Sequence, residues 1–72
     1  MRRAILDALR AKYEAEIAEA DATANIYLEN SVGIGEHPQH LDEVNKQIEK
    51  IANPKEKIDV LEEFEPEKGT TL

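Results

Sequence analysis

Glu36-His37-Pro38-Gln39-His40 holds most of the metal-binding or acid–base chemistry this chain could offer. Imidazole beside carboxylate is the donor set that suits zinc and similar divalent metals. Zinc wants four ligands, or three and a water. Glu36, His37 and His40 supply three at most, with the histidines only three residues apart. That spacing is not His-Glu-x-x-His, and it lacks the further inward carboxylates that accompany Glu-x-x-His in bundle di-metal sites. Pro38 suits the first position of a helix, which leaves His37 just outside that helix and His40 in its first turn. Capping, turn polarity and packing against the preceding helix account for these residues. The alternative is a metal-linked oligomer, with His37 and His40 meeting their counterparts in a second copy.

The remaining inventory is sparse. The chain has no cysteine, so thiolate ligands, thiol nucleophiles and disulfides are all excluded. Thr23, Ser31, Thr70 and Thr71 lack an evident base and orienting group. Gly33-Ile34-Gly35 has no preceding strand and lacks the other glycines of a phosphate-binding loop. The residues therefore predict neither an enzyme nor a cofactor.

The elements that carry these residues read as helices. Residues 2–30 contain neither Gly nor Pro and are rich in Ala, Glu, Leu and Arg. Leu6, Leu9, Tyr13, Ile17, Ala20, Ala24 and Leu28 recur in steps of three and four. That repeat is nearer eleven residues than seven and predicts a nearly straight rod. Gly33 and Gly35 mark a turn over 31–37. A second stripe follows at Leu41, Val44, Ile48 and Ile51, meets Asn53-Pro54, and resumes at Ile58 and Leu61. Asn-Pro favours a helix start over a helix interior, which predicts a kinked or broken second arm with helices over 38–52 and 54–64.

These elements specify an all-α antiparallel hairpin over residues 1–64, followed by a flexible acidic tail over 65–72. If residues 30 and 38 face each other, Leu28 meets His40 and Leu41, Ala24 meets Val44, and Ala20 meets Ile48. In the same register Ile17 meets Ile51, Leu9 meets Ile58 and Leu6 meets Leu61. Tyr13 falls opposite Lys55, beside Pro54, where an aromatic ring would fill the gap a kink opens.

Seventy-two residues make one thin-cored domain. Scaffolds of this size are usually stapled by a disulfide, a metal or a partner chain. With the first absent and the second short of ligands, a partner chain is expected, most simply a second copy completing a helical bundle. The residues that leave the seam are the candidate interface: Ile5, Ile26, Tyr27, Val60 and Phe64 on the arms, and Val32 and Ile34 at the turn. Helix 1 also carries Ala11, Ala15, Ala18 and Ala22, small enough to admit another helix closely.

The net charge of −7 argues against direct binding to nucleic acid or anionic membranes. No run of eighteen apolar residues is present to span a bilayer. Met1-Arg2-Arg3 opens like a secretion signal, but Asp7, Arg10 and Lys12 interrupt any apolar core, so the chain is not expected to be secreted. Arg2, Arg3, Arg10 and Lys12 gather at one end of the sequence and Glu62, Glu63, Glu65 and Glu67 at the other; a hairpin brings the two groups together. The function expected is non-catalytic protein binding with self-association. An acidic nucleic-acid mimic that blocks a basic host protein is the alternative.

The run Ala24-Asn25-Ile26-Tyr27-Leu28-Glu29-Asn30-Ser31-Val32-Gly33-Ile34-Gly35-Glu36-His37-Pro38, with the patterned helix after it, resembles small uncharacterised proteins of tailed bacteriophages, especially marine ones. The likeness is strongest over residues 25–52. It implies an accessory phage protein acting in the host cytoplasm or within a virion, with a phage or host protein as partner. It assigns no functional residue.

Overall fold

The computed structural model describes residues 1–29 and 37–65 of the chain. Two helices make up the fold: α1, Arg2–Glu29, and α2, His37–Glu62. They pack side by side as a hairpin 53 × 22 × 14 Å in extent. At about 1.5 Å per residue the arms are about 42 and 39 Å long, so their apolar stripes cover one another along nearly the whole rod. The turn expected over 31–37 lies outside the described residues except for His37, which opens α2.

Three side-chain pairs fix the register. Tyr27 packs on His40, Tyr13 lies under Lys57, and Arg3 reaches Glu65. Each pair is within two residues of the alignment read from the sequence. The period differs. In α1, burial recurs at Leu6, Tyr13, Ala20 and Tyr27, with Arg10, Ile17 and Ala24 between them. This is a seven-residue repeat, the spacing of helices that wrap left-handedly, and not the eleven-residue repeat expected. Tyr27 takes the seam position expected for Leu28, which is exposed.

The same repeat in α2 runs through His40, Val44, Gln47, Ile51, Pro54, Ile58 and Leu61, and Glu65 continues it just past the helix end. Two residues expected in the core therefore lie outside it: Leu41 is 72% exposed and Ile48 is 55% exposed. Only one stripe can face α1, and Ile51, Ile58 and Leu61 set its phase. Ile48 lies one residue from the seam, about 100° around the helix, and Gln47 occupies the place facing Ala20. Gln47 is 7% exposed, yet none of its polar atoms is a fully buried orphan. Its stem is covered while its amide borders the polar groove between the arms. Gln47→Leu is expected to raise the unfolding free energy by about 1 kcal/mol, by burying apolar area in place of a partly desolvated amide. An increase in the urea midpoint at constant m-value checks this.

Pro54 lies inside α2, which is continuous from His37 to Glu62; the division into helices 38–52 and 54–64 does not occur. Proline lacks the N–H that would bond the Lys50 carbonyl. Its ring is buried in the seam, so packing against α1 offsets the lost bond. Beyond Glu62 the chain tightens into a turn, with Glu63, Phe64 and Glu65 N–H groups donating to the carbonyls of Val60, Leu61 and Glu62. Glu65, assigned by sequence to a flexible tail, is one of the most buried residues described, at 6% exposure.

Candidate interaction surface

The hairpin has an open end, where Leu6 of α1 and Leu61 of α2 are buried, and a turn end, where Tyr27 meets His40. The open end is held by charge. Glu65 accepts from Arg10 at 3.1 Å and lies 3.4 Å from Arg3, while Arg10 also reaches Glu62 at 3.5 Å. The Arg2 guanidinium donates to the Phe64 carbonyl. The expected meeting of basic start and acidic finish is thus present, with Glu65 at its centre. Glu65, followed by Glu62, raises the Arg10 pKa. A raised basic group contributes stability below its unfolded pKa and loses it only as pH climbs through the folded value, far above neutrality.

Beside these ion pairs lies an apolar groove of about 410 Å³. Leu9 and Tyr13 form one wall, Val60 and Phe64 the other, over a floor of Leu6 and Leu61. Phe64 follows Val60 by four residues, in the turn just past α2, while Ile5 and Leu9 are one helical turn apart. Val60 and Phe64, two of the candidate interface residues, are exposed large apolar side chains lining this groove, and Ile5, a third, is exposed one turn before its Leu9. The Lys57 ammonium sits 5.6 Å from the Tyr13 ring centroid and caps the inner end of the groove. An apolar slot with a charged rim can accept an aliphatic or aromatic anchor from another chain.

At the turn end the candidates separate. Ile26 is exposed. Tyr27 is half-buried, its ring edge-on to His40 with centroids 5.2 Å apart. His40 Nε2 lies 3.2 Å from the Tyr27 carbonyl oxygen, which accepts from it in the tautomer protonated there. The only described histidine side chain is therefore engaged in joining the arms. Val32, Ile34, Glu36 and the His37 side chain lie outside the described residues. Among the described residues no three His, Asp or Glu side chains gather as a metal-binding set, and no helix is long and apolar enough to cross a membrane.

Sequence reasoning missed Leu41 and Ile48 as exposed apolar residues, and missed the burial of Glu65, whose meeting with the arginines it did expect. The excess of arginine at the facing end was the available signal for Glu65. No protein-family model, curated protein or solved structure matches the chain.

Proposed function

We propose that the protein is a non-catalytic interaction module that associates with a second copy of itself and offers its open-end apolar groove to another protein. One observation carries this reading. Besides Pro54, the described residues that the hairpin buries as apolar core are Leu6, Ala20, Ala24 and Leu61, two of them alanines, while Val60 and Phe64 stay exposed on the wall of one slot and Ile5 stays exposed one turn from its Leu9. A two-helix scaffold without disulfides gains the burial it lacks by covering such surface. The resemblance to small phage proteins extends the reading to an accessory role in an infected cell or a virion.

Sedimentation equilibrium over a concentration series, with thermal melts at the same concentrations, tests the reading. Association raises the Tm with protein concentration. Phe64→Glu, at an exposed position, is expected to leave helicity intact and to weaken binding of a groove partner by about tenfold or more, because a carboxylate would enter an apolar slot. A chain that remains monomeric to millimolar concentration, with a concentration-independent Tm, overturns the self-association.

A further inference from the structure

One face of α1 has a sequence that is complementary to itself when run backwards. Ile5, Lys12, Glu19 and Ile26 recur every seven residues, so they lie along one line of the helix. Each immediately precedes a seam residue (Leu6, Tyr13, Ala20, Tyr27), which places the line about 100° from the seam. Ala8, Ala15 and Ala22 fill the adjoining line. All seven are exposed, Ile5 at 50% and Ile26 at 59%. The stripe extends about 32 Å along the helix at about 1.5 Å per residue.

We infer that this face pairs with the same face of a second copy, the two α1 helices running antiparallel about a two-fold axis near Ala15. The inference rests on the self-association proposed above and specifies its surface. In that arrangement Ile5 of each copy meets Ile26 of the other, and Lys12 of each meets Glu19 of the other. Alanines lie opposite alanines, so the backbones approach closely. A parallel pairing would oppose Lys12 to Lys12 and Glu19 to Glu19, and the like charges select against it. Within one molecule Lys12, which is exposed, already lies 3.5 Å from the half-buried Glu16. A surface pair of this kind contributes little and leaves the ammonium able to reach a second carboxylate. Ile5 is one turn from Leu9 of the open-end groove, so an Ile26 arriving from the second copy extends that apolar edge.

The test is a charge exchange read by sedimentation equilibrium. Lys12→Glu makes each chain two units more acidic and Glu19→Lys two units less acidic, relative to the native −7. If overall repulsion governed association, the first variant would weaken it and the second would strengthen it. The stripe gives a different result. Each variant alone opposes two like-charged pairs and loses about tenfold or more in self-association. An equimolar mixture of the two restores a dimer, because every Lys then faces a Glu. Circular dichroism confirms that both variants remain helical. If the native chain associates and Glu19→Lys associates as well or better, or if the mixture fails to pair, this surface is wrong while self-association stands. If the native chain and the mixture both remain monomeric to millimolar concentration, both ideas fall.

Discussion

Leu61→Ala is expected to lower the unfolding free energy by about 2–5 kcal/mol, the range for emptying a buried leucine site. A chain of 72 residues has roughly 4–11 kcal/mol in total, at roughly 0.05–0.15 kcal/mol per residue. The substitution therefore removes a large share of what holds the hairpin closed. Leu61 is 6% exposed and forms, with Leu6, the floor of the open-end groove. Its loss enlarges a groove that already opens to solvent. The matching control is Leu41→Ala, the same chemical change at an exposed position of the same helix, which should fall within about 0.5 kcal/mol of the native chain. Urea titration of both, followed by circular dichroism at 222 nm, gives the comparison. Equal losses would mean that Leu41 is buried in solution and that α2 is rotated relative to the seam described above.

Ala20→Leu should cost about 1–3 kcal/mol, the usual range for overpacking. Ala20 is 2% exposed, the most buried apolar residue described, and it faces Gln47 across the seam. A methyl group is what the arms accommodate there. A leucine must push them apart, which also loosens Ala24 one turn further along. Ala18→Leu, at an exposed position two residues earlier, should change stability by no more than about 0.5 kcal/mol. A decrease in the urea midpoint at unchanged m-value for Ala20→Leu, and none for Ala18→Leu, is the outcome expected. If Ala20→Leu proved stabilising, the arms would be farther apart at mid-rod than Ala20 and Gln47 indicate.

Much of this architecture was legible in the residues. The uninterrupted run from Arg2 to Glu29, the glycines after it and the second stripe specified two arms of equal length. Equal arms then specified a register that Tyr27–His40 and Arg3–Glu65 satisfy. The phase of α2 was less legible. Leu41 and Ile48 are more hydrophobic than His40 and Gln47, so local hydropathy assigned them to the core. The choice is made instead by Ile51, Ile58 and Leu61 acting together, since one rigid helix cannot turn one residue inward without turning the rest. Proline's missing donor predicts a kink or a break at Pro54, and of the two the break does not occur. Its position in the seam, where its ring packs, was not visible from propensity alone. Glu65 was grouped with the Pro- and Gly-containing tail, although a carboxylate that meets two arginines becomes part of the fold.

The candidate surface was legible as departures from the stripe. Ile5, Ile26, Val60 and Phe64 broke the helical spacing, and all four are exposed. The groove itself required both arms in place, because its walls come from Leu9 and Tyr13 on one side and Val60 and Phe64 on the other.

The arms zip from one side only. Tyr27 and His40 are 13 residues apart in sequence, whereas Arg3 and Glu65 are 62 apart. Bringing the second pair together from an open chain costs about 1.4 kcal/mol more in closure entropy than bringing the first, by the logarithmic dependence on loop length. Fraying therefore starts at the termini and travels inward, so amide exchange should be fastest near Leu6 and Leu61 and slowest beyond Ala20. The arginine clasp on Glu65 lies where connectivity gives the least help, and slows the fraying of that end without reversing its order.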